Sequence, residues 1–204
     1  MNLLRVVLMV VAGVSVANNP IFCWALTYDE GVDGDLSDAG GSPTVIGTLD
    51  VGSNLLAATS GDEDYDHVGF SIAAGTQLDS IVLTTYDDNS QSFTGLHGGT
   101  TWTTGVGGAV NPAVLLGWTH FGPDAAGADI GDNLLDNMSV APAAIGFATP
   151  LGSGDYNMLL QDTGAPVSYS MTFNVSIIPE PATLYLLAIA GLISFVPQRR
   201  RLSC

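Results

Sequence analysis

Apolar and polar residues alternate with a period of two through the middle of the chain. Tyr169, Met171, Phe173 and Val175 interleave with Ser168, Ser170, Thr172, Asn174 and Ser176, which puts the first set on one face of a β-strand and the second on the other. Val45, Gly47, Leu49 and Val51 alternate in the same way with Thr44, Ile46, Thr48 and Asp50. So do Val68, Phe70 and Ile72 with His67, Gly69 and Ser71, and Tyr156, Met158 and Leu160 repeat the device. Ser80 to Tyr86 is richer in apolar residues on both faces, which predicts a central strand covered from two sides. Turn residues at Gly52-Ser53-Asn54, Gly75 and Gly152-Ser153-Gly154 punctuate these runs at the spacing of an antiparallel sandwich. Helix is scarce: Pro112 to Trp118 predicts a turn or two, and Asp132 to Met138 another behind a weak cap. Gly95 to Gly108, with repeated Gly and Thr around Trp102, predicts a long surface loop or hairpin. The expected fold is all-β, an antiparallel jelly-roll-like β-sandwich over residues 26–178.

Both ends break the pattern. Arg5 precedes the apolar run Val6 to Ala17, the layout of a secretory signal peptide. Small residues suit cleavage after Ala17 or after Ala25; Ala25 is preferred because strand-like sequence begins directly after it, giving a signal peptide over residues 1–25. At the other end Ala182 to Val196 is mostly apolar, and as a helix would reach ~22 Å against a hydrocarbon core of ~30 Å. Arg199, Arg200 and Arg201 follow at once and would stay on the cytoplasmic side, so that the domain faces the other compartment.

Pro179-Glu180-Pro181, then a short apolar helix, then the arginine cluster Arg199 to Arg201, resembles the PEP-CTERM sorting signal of exported proteins in Gram-negative, often biofilm-forming bacteria. The resemblance covers residues 179–204. It implies that signal peptidase and a membrane-embedded exosortase act during export, the latter recognising Pro179, Glu180 and Pro181, cutting the tail away and releasing the domain to the cell surface or exopolysaccharide matrix. Membrane contact would then be made only through the transient C-terminal helix.

Charge sharpens the division. The chain has no lysine, and from Leu26 to Ile178 it has no Arg, while nineteen of its twenty acidic residues fall in that span. A surface without basic residues makes no phosphate contacts, which excludes nucleic acid as a partner. Cys23 and Cys204 lie in the two ends, so the domain has no disulfide to hold it. Carboxylates cluster at Asp29-Glu30-x-x-Asp33-Gly34-Asp35-x-x-Asp38 and at Asp62-Glu63-Asp64-x-Asp66; calcium takes six to eight oxygen ligands of this kind, although neither cluster has EF-hand spacing. The alternative is that these side chains simply solvate loops on an acidic surface.

Gly61-Asp62-Glu63-Asp64-Tyr65-Asp66 leading into Val68 to Ile72, then Gly154-Asp155-Tyr156, then Val167-Ser168-Tyr169 leading into Phe173, is similar to the bacterial pre-peptidase C-terminal domain. That resemblance implies a jelly roll, and in some members calcium and matrix-polymer binding. Carried over by position, the calcium ligands would be Asp29, Glu30, Asp62, Glu63 and Asp66. The long insert from Ser90 to Ala144 departs from the compact family pattern.

Catalytic signatures are absent: there is no G-x-S-x-G elbow, H-E-x-x-H pair, phosphate-cradling loop or dinucleotide fingerprint, and no thiol in the domain. His67, His97 and His120 could converge on a metal, but a strand-face His67 and loop histidines read as ordinary surface residues. Trp102, on its glycine-rich loop, is the expected exposed glycan contact, whereas Trp118 in Val114-Leu115-Leu116-Gly117-Trp118 reads as core. The expectation is a non-enzymatic, exported, surface or matrix-associated β-sandwich, calcium-stabilised and in contact with exopolysaccharide. The alternative is a secreted glycan-acting hydrolase with paired carboxylates.

Overall fold

The computed structural model describes residues 25–123 and 126–179. The elements in chain order are β1 (Thr27–Asp29), α1 (Glu30–Asp33), β2 (Thr44–Thr48), β3 (Gly52–Ser60), β4 (Tyr65–Ile72), β5 (Thr76–Tyr86), β6 (Ser92–Gly98), β7 (Gly117–Phe121), α2 (Leu134–Ser139), β8 (Gly154–Gln161) and β9 (Val167–Ile177). They form a four-stranded sheet in the order β1-β3-β9-β5 and a five-stranded sheet in the order β2-β4-β8-β6-β7. The β1/β3 and β2/β4 pairs are parallel and the rest antiparallel, so both sheets are mixed rather than purely antiparallel.

The inner faces of the two sheets meet in one apolar core. Tyr169, Met171, Phe173 and Val175 of β9 are buried on the side expected, opposite Val68, Phe70 and Ile72 of β4 and Met158 and Leu160 of β8. Phe70 and Phe173 bridge the sheets edge to face at 5.4 Å, and Phe121 meets Tyr169 in the same way at 5.9 Å. Each fully buried side chain of this size contributes about 1.5–3 kcal/mol of transfer free energy.

Several elements depart from the sequence pattern for identifiable reasons. In β2 the register slips between Val45 and Gly47, where Gly47 takes a φ of +107°. That bulge turns Ile46 and Leu49 inward and leaves Val45 69% exposed, against the plain alternation. Ser80 to Tyr86 belongs to β5, the edge of the four-stranded sheet, and is not a central strand. Its free edge is capped by the Gly131–Asn133 segment: Gly131 N–H donates to the Leu83 carbonyl, Leu83 N–H to that of Asp132, and Ile81 N–H to Asn133 Oδ1. A covered edge offers no template for another strand. Pro112 to Val114 forms one 3-10 turn, and Trp118 lies in β7. The Asn133 side chain caps α2 by accepting from Leu135 N–H.

The strands buried on both faces are β4 and β8. His67 and Gly69 on β4, and Asn157, Leu159 and Gln161 on β8, point away from the core and are nonetheless buried. The connection through residues 99–116 folds back over this outer face, where Trp102, Leu115 and Leu159 make a second, smaller apolar cluster. No helix among the described residues is long and apolar enough to cross a membrane. Residues 1–24 of the expected signal peptide (1–25), the apolar tail helix, and Glu180, Pro181, Arg199, Arg200 and Arg201 lie outside the described residues; Pro179 is the last one described.

Candidate ligand-binding groove

The seating of Trp102 reverses the roles expected of the two tryptophans. Trp102 is 5% exposed. A Cβ on Gly95 would stand 2.9 Å from the end of its ring, and one on Gly40 would stand 2.8 Å from its Cβ. The glycines that suggested an open loop are the seat into which the indole fits. Its backbone N–H donates to the Gly40 carbonyl at 2.8 Å and its Nε1–H to the Gly105 carbonyl at 3.0 Å. Trp102 therefore cannot present a face to a sugar, and the expectation of an exposed contact there is overturned by its burial.

The exposed aromatic surface is built by β6 and β7 instead. Cross-strand register sets Phe93 opposite His120 and Gly95 opposite Trp118. Trp118 stacks nearly parallel on Phe93, at 6.0 Å and 25°, and His120 meets both rings edge on, at 5.8 Å from Phe93 and 5.9 Å from Trp118. All three are half-buried. Trp118 Nε1–H donates to the Pro142 carbonyl at 3.0 Å, which fixes the plane of the indole. Three adjoining hollows of about 240, 250 and 310 Å³ share these side chains. Gln91, Gln161 and Thr163 line the first and Asn137 with Pro142 the last, while Phe93 and His120 link the first two and Trp118 and His120 the second two. Gln161 Oε1 accepts from Gly107 N–H at 2.8 Å, tying the floor strand to the covering loop. No Asp or Glu lines any of the three hollows among the described residues. An apolar, flat floor with amide and hydroxyl groups at its rim is a surface suited to stacking and neutral hydrogen bonding.

The five expected calcium ligands divide. Asp29 is occupied at the start of α1, where its Oδ1 accepts from Gly31 N–H at 3.0 Å. Glu30 accepts from Leu36 N–H at 2.8 Å with one oxygen and from Thr59 N–H at 2.7 Å with the other. Asp66 is fully buried in β4, and the Tyr169 hydroxyl donates to its Oδ2 at 2.6 Å while Oδ1 has no partner. Asp62 and Glu63 are exposed on the turn before β4, with Glu63 at a φ of +65°. The acids that act on one another include Glu30, Asp35, Asp64 and Asp66, with Asp38 also acting on Asp64; sequence reasoning did not assign Asp35, Asp38 and Asp64. Burial pushes the Asp66 carboxyl up to about 8, the Tyr169 hydroxyl opposing and Glu30, Asp64 and Asp35 adding to the shift. Burial also raises Glu30 and Asp64, each further raised by Asp35. Among the described residues no three His, Cys, Asp or Glu side chains converge to hold a metal ion.

His67 is likewise not a surface residue: it is fully buried under Trp102, with ring centroids 5.6 Å apart. His97 lies on β6, 6.1 Å from the same indole, and His120 sits in the groove. No family model, no curated protein and no solved structure matches this chain.

Proposed function

We propose that the protein is an exported, non-enzymatic carbohydrate-binding domain of jelly-roll type, which holds an uncharged stretch of exopolysaccharide in the groove of Trp118, Phe93 and His120. The observation that carries this reading is the groove itself: half-exposed stacked aromatics, a rim of amides and hydroxyls, and, among the described residues, no carboxylate in its lining. A sugar ring lays its C–H face on an indole, and Gln91, Asn137 and Thr163 are placed to exchange hydrogen bonds with its hydroxyls. The absence of Lys and Arg from Leu26 to Ile178 makes anionic polymers poor ligands, since nothing there offsets the repulsion from nineteen acids. The PEP-CTERM-like tail and the leading apolar segment support delivery to the cell surface or matrix, with signal peptidase and an exosortase as processing partners.

A glycan hydrolase would need two carboxylates across a cleft, and the lining of this groove argues for binding without turnover. The test is affinity electrophoresis through neutral polysaccharides, with reducing-end release assayed in parallel. Retardation without release is expected; release abolished by one carboxylate substitution would establish the hydrolase.

Calcium enters this reading as relief of self-repulsion on an acidic domain, without a dedicated ligand set. Thermal melting of the purified protein is expected to show a higher midpoint in millimolar calcium than in chelator. Superimposable midpoints would remove calcium from the account.

A further inference from the structure

Polar atoms without partners are sealed beneath Trp102, on the same outer sheet face as the groove but covered rather than open. Neither ring nitrogen of His67, neither amide atom of Asn157 and not Nδ1 of His97 has a hydrogen-bond partner, and all five atoms are buried. His67 and Asn157 are themselves 0% exposed. Strand register brings the three side chains together: Asn157 on β8 pairs with His97 on β6 and with Gly69 on β4, two residues beyond His67 on the same face. Both imidazoles pack against one indole, at 5.6 and 6.1 Å. An unsatisfied buried polar group costs about 1–3 kcal/mol, and five such atoms in one place call for a partner, a water or an ion.

We propose that His67, His97 and Asn157 bind one late first-row divalent cation, of the zinc and copper class, under the roof formed by Trp102. The donor set selects that class: imidazole nitrogen suits zinc and copper, whereas calcium and magnesium take oxygen from carboxylates. His97 Nε2 lies 2.8 Å from Thr103 Oγ1; with Nε2–H donating to that hydroxyl, the buried Nδ1 is left as a bare lone pair. A ligating histidine is commonly held by such a hydrogen bond through its other nitrogen. Two imidazoles and one carboxamide leave a fourth tetrahedral position for water.

The probe is the metal alone. The full chain, stripped with chelator, is titrated with Zn2+ by calorimetry in excess Ca2+, which occupies the surface acids. One equivalent is expected to bind, with a rise in melting temperature; Cu2+ in place of Zn2+ is expected to quench tryptophan emission, and Trp102→Phe to remove most of that quench. His67→Gln and His97→Gln should abolish the tight equivalent, and Thr103→Val should weaken it about 10-fold. His97 is half-buried and Thr103 exposed, so these two variants carry the test if His67→Gln fails to fold, with circular dichroism reporting the fold. No saturable binding in excess Ca2+, equal binding by the His97 and Thr103 variants, or a crystal structure grown with Zn2+ holding only water between the three side chains would overturn the proposal.

Discussion

The outer faces of the two sheets differ although their inner faces follow one rule. On the four-stranded sheet the outer face is a lattice of small polar side chains: Thr84 and Thr85 each meet Ser170, at 2.7 and 2.6 Å, Ser53 donates to Asn174 at 2.7 Å, and Asn174 donates to Ser80 at 2.9 Å. Water can replace each of those contacts, so each contributes little net stability. On the five-stranded sheet the outer face is roofed by residues 99–116, and its strands carry His67, Asn157 and Leu159 in places that solvent does not reach. A sheet face gains buried polar groups and relief when a long connection lands on it, and where that connection stops, at β7, the half-exposed ring of Trp118 begins.

The largest expected effect separates the two faces by stability. Trp102→Ala should lower unfolding free energy by about 3–5 kcal/mol, as for other buried large-to-small changes, whereas Ser170→Ala should stay within about 1 kcal/mol. Equal losses in denaturant titrations would erase the distinction.

Acidity gives the next effect. The folded pKa of Asp66 is raised from 3.8 to about 8, so its contribution is fully present below pH 3.8 and is lost as pH rises through 8. Melting temperature should therefore fall across that interval, and Asp66→Asn should flatten the slope. His67 acts in the reverse sense: its folded pKa is lowered, and it removes stability as pH falls through that lowered value. A wild-type profile that rises steadily from pH 5 to 8 would contradict the Asp66 assignment.

A smaller effect concerns the seat of the roof. Gly95→Ala places a methyl 2.9 Å from the Trp102 ring and 3.0 Å from Leu115, which should cost about 1–3 kcal/mol by overpacking. Gly41→Ala meets nothing within 4 Å and should be close to neutral. Smallest in stability is Trp118→Ala, expected to change the melting temperature little because the ring is half-exposed, and to act on ligand affinity instead.

The inner faces were legible because burial on one side of a strand imposes a period of two on nearby residues. Met171, Phe173 and Val175 show this without interruption, and Met158 and Leu160 show it on β8. Where a bulge resets the phase, as at Gly47, alternation misassigns its neighbours Val45 and Ile46. The outer faces were not legible, because what covers them comes from elsewhere in the chain. Ser80 to Tyr86 looked two-sided but is an edge strand, while β4 and β8, the strands covered on both sides, looked one-sided. The tryptophans were exchanged for the same reason. Trp102 among glycines suggested exposure, yet those glycines make room for it; Trp118 after an apolar run suggested core, yet the strand turns it outward. Clustering of Asp35 and Asp64 with Glu30 and Asp66 depends on how the loops before β2 and β4 approach, which local spacing does not encode.

The groove at Trp118 is the part of the molecule on which the proposed ligand binding rests. Binding of the full chain to neutral polysaccharides and to uronic-acid-containing ones, at about 0.15 M salt, measures it directly when wild type is compared with Trp118→Ala. Wild type is expected to be retained on a neutral polymer and weakly or not at all on the anionic ones, and the variant to lose about 2 kcal/mol, some 30-fold in Kd. Equal binding by both proteins, or preference for the anionic polymer, would contradict it.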